Sequence, residues 1–353
     1  MRTQRPTRLT TILAGLSLAL TLVATAACSS GANATGTGAG TSSDSPSATP
    51  SKTLSILLSG RSFYDVPLYA MMNDGIAQKN GFNLTQAQFN SGSGSTSQIF
   101  AGGTGDILGG GIDVASAIGS AQKLDITVLG VWTAKTYFRL VSKVGSKYKS
   151  IADLKGQTIG VSGAGSFSDY TVRAALVKAG LKPDVDVKIA ALGQPAAQFA
   201  ALSNGSVQAV MLNPPTITTA LDEKQVQTIY NFEDDGPMPS ALFIARTADV
   251  KKDPALYKSF MTAYAQAVAK MHSDPAFAEK VAKEDWGAST PTNILDAELK
   301  EFLTKPGVWP TDPTFTQSLY NAGKKMLVES GKVSASTFPS YQALTAQSPD
   351  VTP

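Results

Sequence analysis

The chain has 353 residues, 42% apolar and 16% charged, which suits two ordinary domains with sizeable cores and excludes a disordered chain. Its formal net charge of +3 is matched by Arg2, Arg5 and Arg8 in a leader without acidic residues, so the rest is neutral and gives no reason to expect nucleic acid as a partner. The single cysteine, Cys28, excludes an intramolecular disulfide, a cysteine-based metal site and a Cys–His nucleophile pair in the mature fold. The single histidine, His272, sits in KMHSDPAF on a helical pattern with no nucleophile motif beside it, and reads as a solvated or half-buried helix residue.

Leu9 to Ala27 is an apolar run softened by threonines, and Thr25-Ala26-Ala27-Cys28 closes it. Basic, apolar, small and then cysteine is the order of a secretory signal. It resembles a bacterial lipoprotein signal, in which the cysteine is lipidated and becomes the new N-terminus. Thr25 stands where such signals usually carry an aliphatic residue, so an ordinary secretory signal and a signal-anchor helix are the competing readings. Ser29 to Lys52 has no aromatic or large aliphatic residue and cannot bury enough surface to offset its ordering entropy. It is expected to be a flexible tether. No later segment is long and apolar enough to span a bilayer.

The folded body is expected to open with a strand over Leu54 to Leu58 and the loop Ser59 to Tyr64. A helix then runs from about Pro67 to Gly81, with Leu68, Met71 and Met72 on its apolar side. Phe82 to Phe89 alternates as a strand, Asn90 to Ser95 is a loop of small residues before a helix, and Asp106 to Leu108 is a strand ending in Gly109-Gly110-Gly111. A helix to about Leu124 and the strand Ile126 to Trp132 complete this half. Strand, loop and helix in repetition argue for α/β layering with a largely parallel sheet, whose ligands bind beyond the carboxyl ends of the strands.

Tyr137 to Val144 reads as a further strand leading into a polar crossover, Gly145 to Ser150. A second α/β unit follows: the strand Thr158 to Val161, the loop Ser162 to Ser168 and a helix to Gly180; the strand Val185 to Ala190 and a helix over Pro195 to Ser203; the strand Gln208 to Leu212, ending in Asn213-Pro214-Pro215. A helix to about Glu223 and the strand Val226 to Phe232 close it. Glu233 to Pro239 is the second crossover, and Ala241 to Ala245 is a strand returning to the first unit. Helices are expected over Pro254 to Lys283, Thr292 to Thr304 and Pro313 to Gly331. A local echo, FAGGTGDI against LSNGSVQA, each running from a helix end through glycine into a short strand and a loop, suggests two similar domains facing each other across a cleft.

The run Gly163-Ala164-Gly165-Ser166-Phe167-Ser168 comes close to the dinucleotide fingerprint G-x-G-x-x-G. Serine replaces the third glycine, and the next strand leads to Leu192-Gly193 instead of a ribose-binding acid, so that reading is set aside.

ADLKGQTIGVSGAGS, a helix, and then QFAALSNGSVQAVMLNPP resemble the extracytoplasmic solute-binding proteins of ABC importers, nearest the subgroup that takes sulfonates, nitrate, taurine or thiamine-pyrimidine precursors. The resemblance covers roughly Leu54 to Leu327. It implies an α/β fold of the type II periplasmic-binding-protein kind, two domains joined by a two-crossover hinge that close on a small-molecule solute and present it to a membrane permease and its ATPase. The implied division is a lipoprotein signal over 1–28, a tether over 29–52, domain I over 53–144 and 240–341, domain II over 145–239, and a tail over 342–353. Carried over from the family's strand-end loops, the implied ligand contacts are Arg61, Ser62, Phe63, Tyr64, Ser93, Ser95, Gly111, Asp113, Trp132, Ser166, Phe167, Ser168, Asn213 and Pro214. Arg61 and the helix N-terminus at Ser168 are the expected positive groups for an anion, while the aromatic residues are the expected sandwich for a planar ring. No cofactor or metal is implied, and the protein is expected to be a monomer held to the membrane through lipidated Cys28. Two alternatives stay open: a solute-sensing lipoprotein that signals to a receptor partner, and a pyrimidine-synthase-like enzyme on the same fold, whose cysteine- and histidine-rich centre this chain lacks.

Overall fold

A computed structural model describes residues 52–88 and 93–350. The leader with Cys28, the tether before Lys52, Phe89 to Gly92 and the last three residues lie outside the described residues. The first strands are β1 (Lys52–Leu58), β2 (Phe82–Gln88), β3 (Ile107–Gly110), β4 (Ile126–Thr133) and β5 (Arg139–Lys143). They are followed by β6 (Thr158–Val161), β7 (Lys188–Ala191), β8 (Ala209–Leu212), β9 (Val226–Asn231) and β10 (Ala241–Arg246).

These strands form two five-stranded sheets, ordered β2-β1-β3-β10-β4 and β7-β6-β8-β5-β9. In the first, β1 runs parallel to β2 and β3, and β10 is inserted antiparallel between β3 and β4. In the second, β6 runs parallel to β7 and β8, and β5 lies antiparallel between β8 and β9. The sheets therefore share one topology, as the echo in sequence suggests. In each, the antiparallel strand is the first one the chain makes after crossing from the other sheet.

That pairing moves one expected boundary. Tyr137 to Val144 was assigned to the first domain, with the crossing at Gly145 to Ser150, but β5 pairs with β8 and β9 and belongs to the second sheet. The chain crosses over residues 134–138 and returns over 232–240. Local alternation shows that a segment is a strand; it does not show which sheet takes it. The segment beyond 341 is likewise no free tail. The short helix Tyr341–Thr345 packs on β4 with Leu344 buried, and the Ser348 hydroxyl donates to the Val128 carbonyl.

Helix ends follow proline and glycine. The helix expected over Pro67 to Gly81 is two, Val66–Asn73 and Ile76–Lys79, because Gly75 between them takes a left-handed φ of 71°. The helix expected over Pro254 to Lys283 is also two, Pro254–Ser273 and Pro275–Trp286. Pro275 has no N–H for the helical ladder, and the Asp274 carboxylate caps the new helix by accepting from the Phe277 amide at 3.0 Å. The strand expected from Val185 starts only at Lys188, since Asp184 has a φ of 67° and Val185 lies on the surface. The last expected long helix starts at Gln317, capped by Thr316.

The helices after β10 return to the first sheet. Their inner faces (Tyr257, Phe260, Tyr264, Phe277, Leu299, Phe302) join Leu54, Ile56, Phe82 and Phe243 in one apolar core. Phe63, expected at the ligand, is fully buried in that core. Its ring stacks on Trp309 at 5.9 Å and meets Phe302 edge-on at 5.1 Å. The second sheet has a smaller core of its own around Val141, Leu202, Val210, Leu212 and Ile217. A further apolar cluster runs through both lobes, from Leu57 and Leu108 to Val161 and Phe167. Phe63→Ala is expected to lower the unfolding free energy by about 3–5 kcal/mol, the cost of an aromatic-sized cavity, measured by urea denaturation.

Candidate functional site

A cavity of about 150 Å³ lies between the two sheets, beyond the carboxyl ends of β1, β3, β4, β6 and β8. That volume accommodates a molecule of about one benzene ring. Of the residues expected at the ligand, Arg61, Ser62, Tyr64, Ser93, Gly111, Trp132, Phe167, Ser168 and Asn213 line it. Phe63 is in the core, Ser95 and Ser166 line an adjacent hollow, and Asp113 and Pro214 are not part of the wall.

The floor is rigid. The Trp132 indole donates to the Tyr64 carbonyl at 2.8 Å and stacks on Phe243 at 5.4 Å. Its own carbonyl accepts from the Tyr264 hydroxyl at 2.9 Å. The Tyr64 hydroxyl accepts from the Tyr137 amide at 2.8 Å, and burial pushes that phenol well above its ordinary range. The glycine run after β3 is there for close approach. A Cβ on Gly109 would lie 2.7 Å from the Trp132 ring, and one on Gly111 would lie 3.0 Å from the ring of Phe167 across the cleft.

The opposite wall is the loop Ser162 to Ser168 and the helix Phe167–Lys178. Its hydroxyls are engaged with each other. Ser168 Oγ accepts from the Ser162 amide at 3.0 Å and lies 2.8 Å and 2.9 Å from the hydroxyls of Ser162 and Ser166. Ser166 caps the helix by accepting from the Asp169 amide. The first turn also carries a carboxylate of the chain itself: Asp169 accepts from the Gly165 amide at 2.8 Å and from Arg173 Nε at 2.6 Å. The first turn of this helix thus already holds a carboxylate, balanced by Arg173 one turn on.

Arg61 is matched as well. Its guanidinium donates to the Asp285 carboxylate at 2.6 Å and lies over the Trp286 ring, 4.1 Å from its centroid. Burial raises the Asp285 carboxyl above its ordinary range, opposed by Arg61 beside it. Among the described wall residues the one carboxyl is that of Asp65, which burial holds well above the carboxylate range while the Ser62 amide donates to it at 3.1 Å. Asp113, behind Gly111, is pushed up to about 6 by burial, against the pull of the Ser93 hydroxyl that donates to it at 2.8 Å. Among the described residues the wall carries no unmatched cation. Among the described residues, no group of three or more His, Cys, Asp or Glu is placed to hold a metal.

Two glutamines escaped the sequence reading. Gln194 and Gln198 line the cleft from the N-terminus of the helix Pro195–Ser203. Their signal was the one used elsewhere, a strand running through Gly193 into a helix that opens on Pro195. Gln198 is 2% exposed and donates its Nε2 to the Gly193 carbonyl at 3.0 Å, and its Oε1 has no partner among the described residues. At the cleft, Asn213 Nδ2 donates to Ser62 Oγ of the other lobe at 3.2 Å and Gln194 Nε2 to the Ser59 carbonyl at 3.4 Å.

A family model described as NMT1/THI5 like matches residues 64–278, which contain this wall except for Leu58 to Ser62. The chain belongs to the NMT1/THI5-like family. A protein of Brucella abortus, named only as a binding protein, is 29% identical to it over 201 residues, or 55% of this chain and 59% of that relative. Among solved structures, the alkanesulfonate-binding protein of Xanthomonas axonopodis pv. citri is 18% identical, with 85% of this chain and 98% of that one superposed at a TM-score of 0.67. The nitrate-binding protein of Synechocystis is 13% identical, with 82% and 85% superposed at a TM-score of 0.63. This member of the NMT1/THI5-like family therefore has the periplasmic-binding-protein fold.

Each bridging hydrogen bond is worth about 0.5–1.5 kcal/mol net. The pair of substitutions Asn213→Ala and Gln194→Ala is expected to shift the ligand-free protein toward a more open form. Small-angle scattering should register a larger radius of gyration than in the parent chain.

Proposed function

We propose that this protein is the extracytoplasmic solute-binding component of an ABC-type importer, which captures an uncharged, planar solute in its cleft and hands it to a membrane permease. The observation that carries the choice of solute is the matched charge of the wall. Arg61 is paired with Asp285, and the first turn of the helix at Phe167 already holds the Asp169 carboxylate, itself paired with Arg173. A sulfonate or nitrate entering this wall would lose its hydration with no free cation to replace it. A flat ring would instead lie among Trp132, Phe138, Tyr64 and Phe167. A ring N–H or amino group would give Gln198 Oε1 the donor it lacks. An aminopyrimidine or a related heterocyclic amide fits all three features and the volume.

Retention at the membrane through lipidated Cys28, and action as a monomer, belong to the same reading. The enzyme alternative lacks its equipment. His272 donates its Nε2–H to the Trp309 carbonyl at 3.0 Å on a helix away from the cleft, and Cys28 precedes the folded body. The sensing alternative uses the same closed state, and neighbouring importer genes or a sensor kinase would distinguish it.

The test is a thermal-shift screen of the secreted chain against uncharged pyrimidines, aromatic amides, alkanesulfonates, taurine and nitrate. Ligands that bind the native state raise the melting temperature by mass action. Shifts are expected from the uncharged heterocycles. Shifts from sulfonates or nitrate alone would sink the neutral-ring reading, and turnover of any hit would sink the binding-only reading. Arg61→Ala is expected to leave affinity for the best heterocycle within about tenfold, since its charge is matched by Asp285, whereas Gln198→Leu is expected to weaken it by about tenfold or more. Isothermal titration of both variants measures this.

A further inference from the structure

Outside the wall of the solute site, the seam between the lobes carries a buried acid. Glu298 is on the helix Thr292–Thr304, whose Leu295, Leu299 and Phe302 are locked into the core of the first lobe. That helix also packs against the helix Thr216–Asp222 of the second lobe, whose Ile217 and Ala220 belong to the second core. Glu298 is 2% exposed at this seam, hydrogen-bonded to Thr218 of the opposite lobe, and its Oε1 has no partner among the described residues.

The groups around it offer little to a carboxylate. On its own helix is Glu301, a like charge. From β5 comes Arg139, which attracts Glu298 only at a distance, and from the turn Phe63–Asp65 comes the neutral phenol of Tyr64. From the helix Thr216–Asp222 come Thr218 and Asp222, the latter held by Asn293 Nδ2 at 3.3 Å. From the helix Pro275–Trp286, Asp285 is paired with Arg61, and Lys283 is paired with Glu279 and feels Asp296. The nearby cations serve other acids. Lys305 pairs with Glu301 at 2.5 Å and Glu233 at 3.3 Å, Lys135 with Glu233 at 3.4 Å, and the Tyr137 hydroxyl donates to Glu301 at 2.7 Å.

We propose that Glu298 is a proton-operated latch: its carboxyl holds a proton more tightly while the lobes meet than when they part, so that below neutral pH closure takes up a proton. The proposal rests on the reading of the protein as a clamp that opens and closes, and it does not depend on which solute the clamp holds. Burial raises the carboxyl from its ordinary 4.5 to about 7 in the closed form, with Glu301 adding to the rise and Thr218 and Arg139 opposing it. Opening pulls Thr218 away and admits water, which returns the carboxyl toward its ordinary value. Between those two values the closed form holds more protons than the open one, so closure strengthens as pH falls through neutrality and levels off in acid. Above neutrality both forms are ionised and the full cost of burying the charge opposes closure.

The test needs no solute. One dye is placed on each lobe through Lys258→Cys and Lys188→Cys in the secreted chain carrying Cys28→Ser, and the ligand-free closed fraction is read by energy transfer. The ratio of closed to open is expected to rise as pH is lowered from about 8 to about 5.5, by at most about tenfold per pH unit, the limit for one proton. Glu298→Gln, which keeps shape and hydrogen bonding, is expected to abolish the slope and to hold the high-pH ratio at the parent's low-pH level. A flat parent profile, or a slope that survives in Glu298→Gln, overturns the latch. A carbon-detected titration of the parent's glutamate carboxyls gives a check without substitution. A group titrating near neutrality and missing in Glu298→Gln supports the latch, and its absence overturns it. Because no solute is present, failure here leaves the solute-binding reading untouched, and failure of the solute screen leaves this result standing.

Discussion

Each sheet is completed by a strand that arrives from the other lobe. β5 enters the second sheet straight after the first crossing, and β10 enters the first straight after the return. Both are inserted between neighbours, with hydrogen bonds on each side, so the crossings are tied to the interiors of the two lobes and not to their rims. Two short connections anchored this way restrict the lobes to a narrow family of relative motions. Everything at the cleft depends on that restriction. A wall made of Ser62 and Trp132 on one side and Ser168 and Asn213 on the other is a site only if the two halves return to the same register.

Charge matching is the second theme. The two features that most resemble anion hooks in the sequence, an arginine at a strand end and a small-residue loop before a helix, are both answered from within the chain. Asp285 answers Arg61 from more than two hundred residues away, and Asp169, paired with Arg173, occupies the first turn of the helix. What is left on the wall is aromatic surface and amide groups, which favour shape and hydrogen-bond pattern over charge as the basis of discrimination.

Much of this architecture was legible before any coordinates. The alternation of short apolar runs with small-residue loops located most of the strands, and the echo between the halves pointed to two matching lobes. Cleft residues at strand ends were legible for the same reason, because the topology puts those ends together. The errors have physical causes. Phe63 and Trp132 look alike in sequence, an aromatic residue near a strand end, but only the packing of Trp309 and Phe302 shows that Phe63 turns inward. The membership of β5 depends on pairing with strands about seventy and ninety residues further on, which no local pattern reports. Pro275 was visible, yet the apolar spacing continued through it, and periodicity outweighed the missing amide. Gln194 and Gln198 were overlooked because glutamine in a helix is ordinary until its burial is known.

The placement of β10 also bears on how the molecule is built. The strands of the second lobe, β5 to β9, are contiguous in the chain, so that lobe has all of its sheet as soon as its own residues are made. The first lobe does not. Until Ala241 to Arg246 emerge, the inner edges of β3 and β4 have no partner strand between them, and the core around Phe243 lacks its centre. Contacts over such long sequence separations form late and slowly. The sheet that begins second along the chain is therefore the first to have all its strands, and the earlier strands keep open edges until the chain comes back to them.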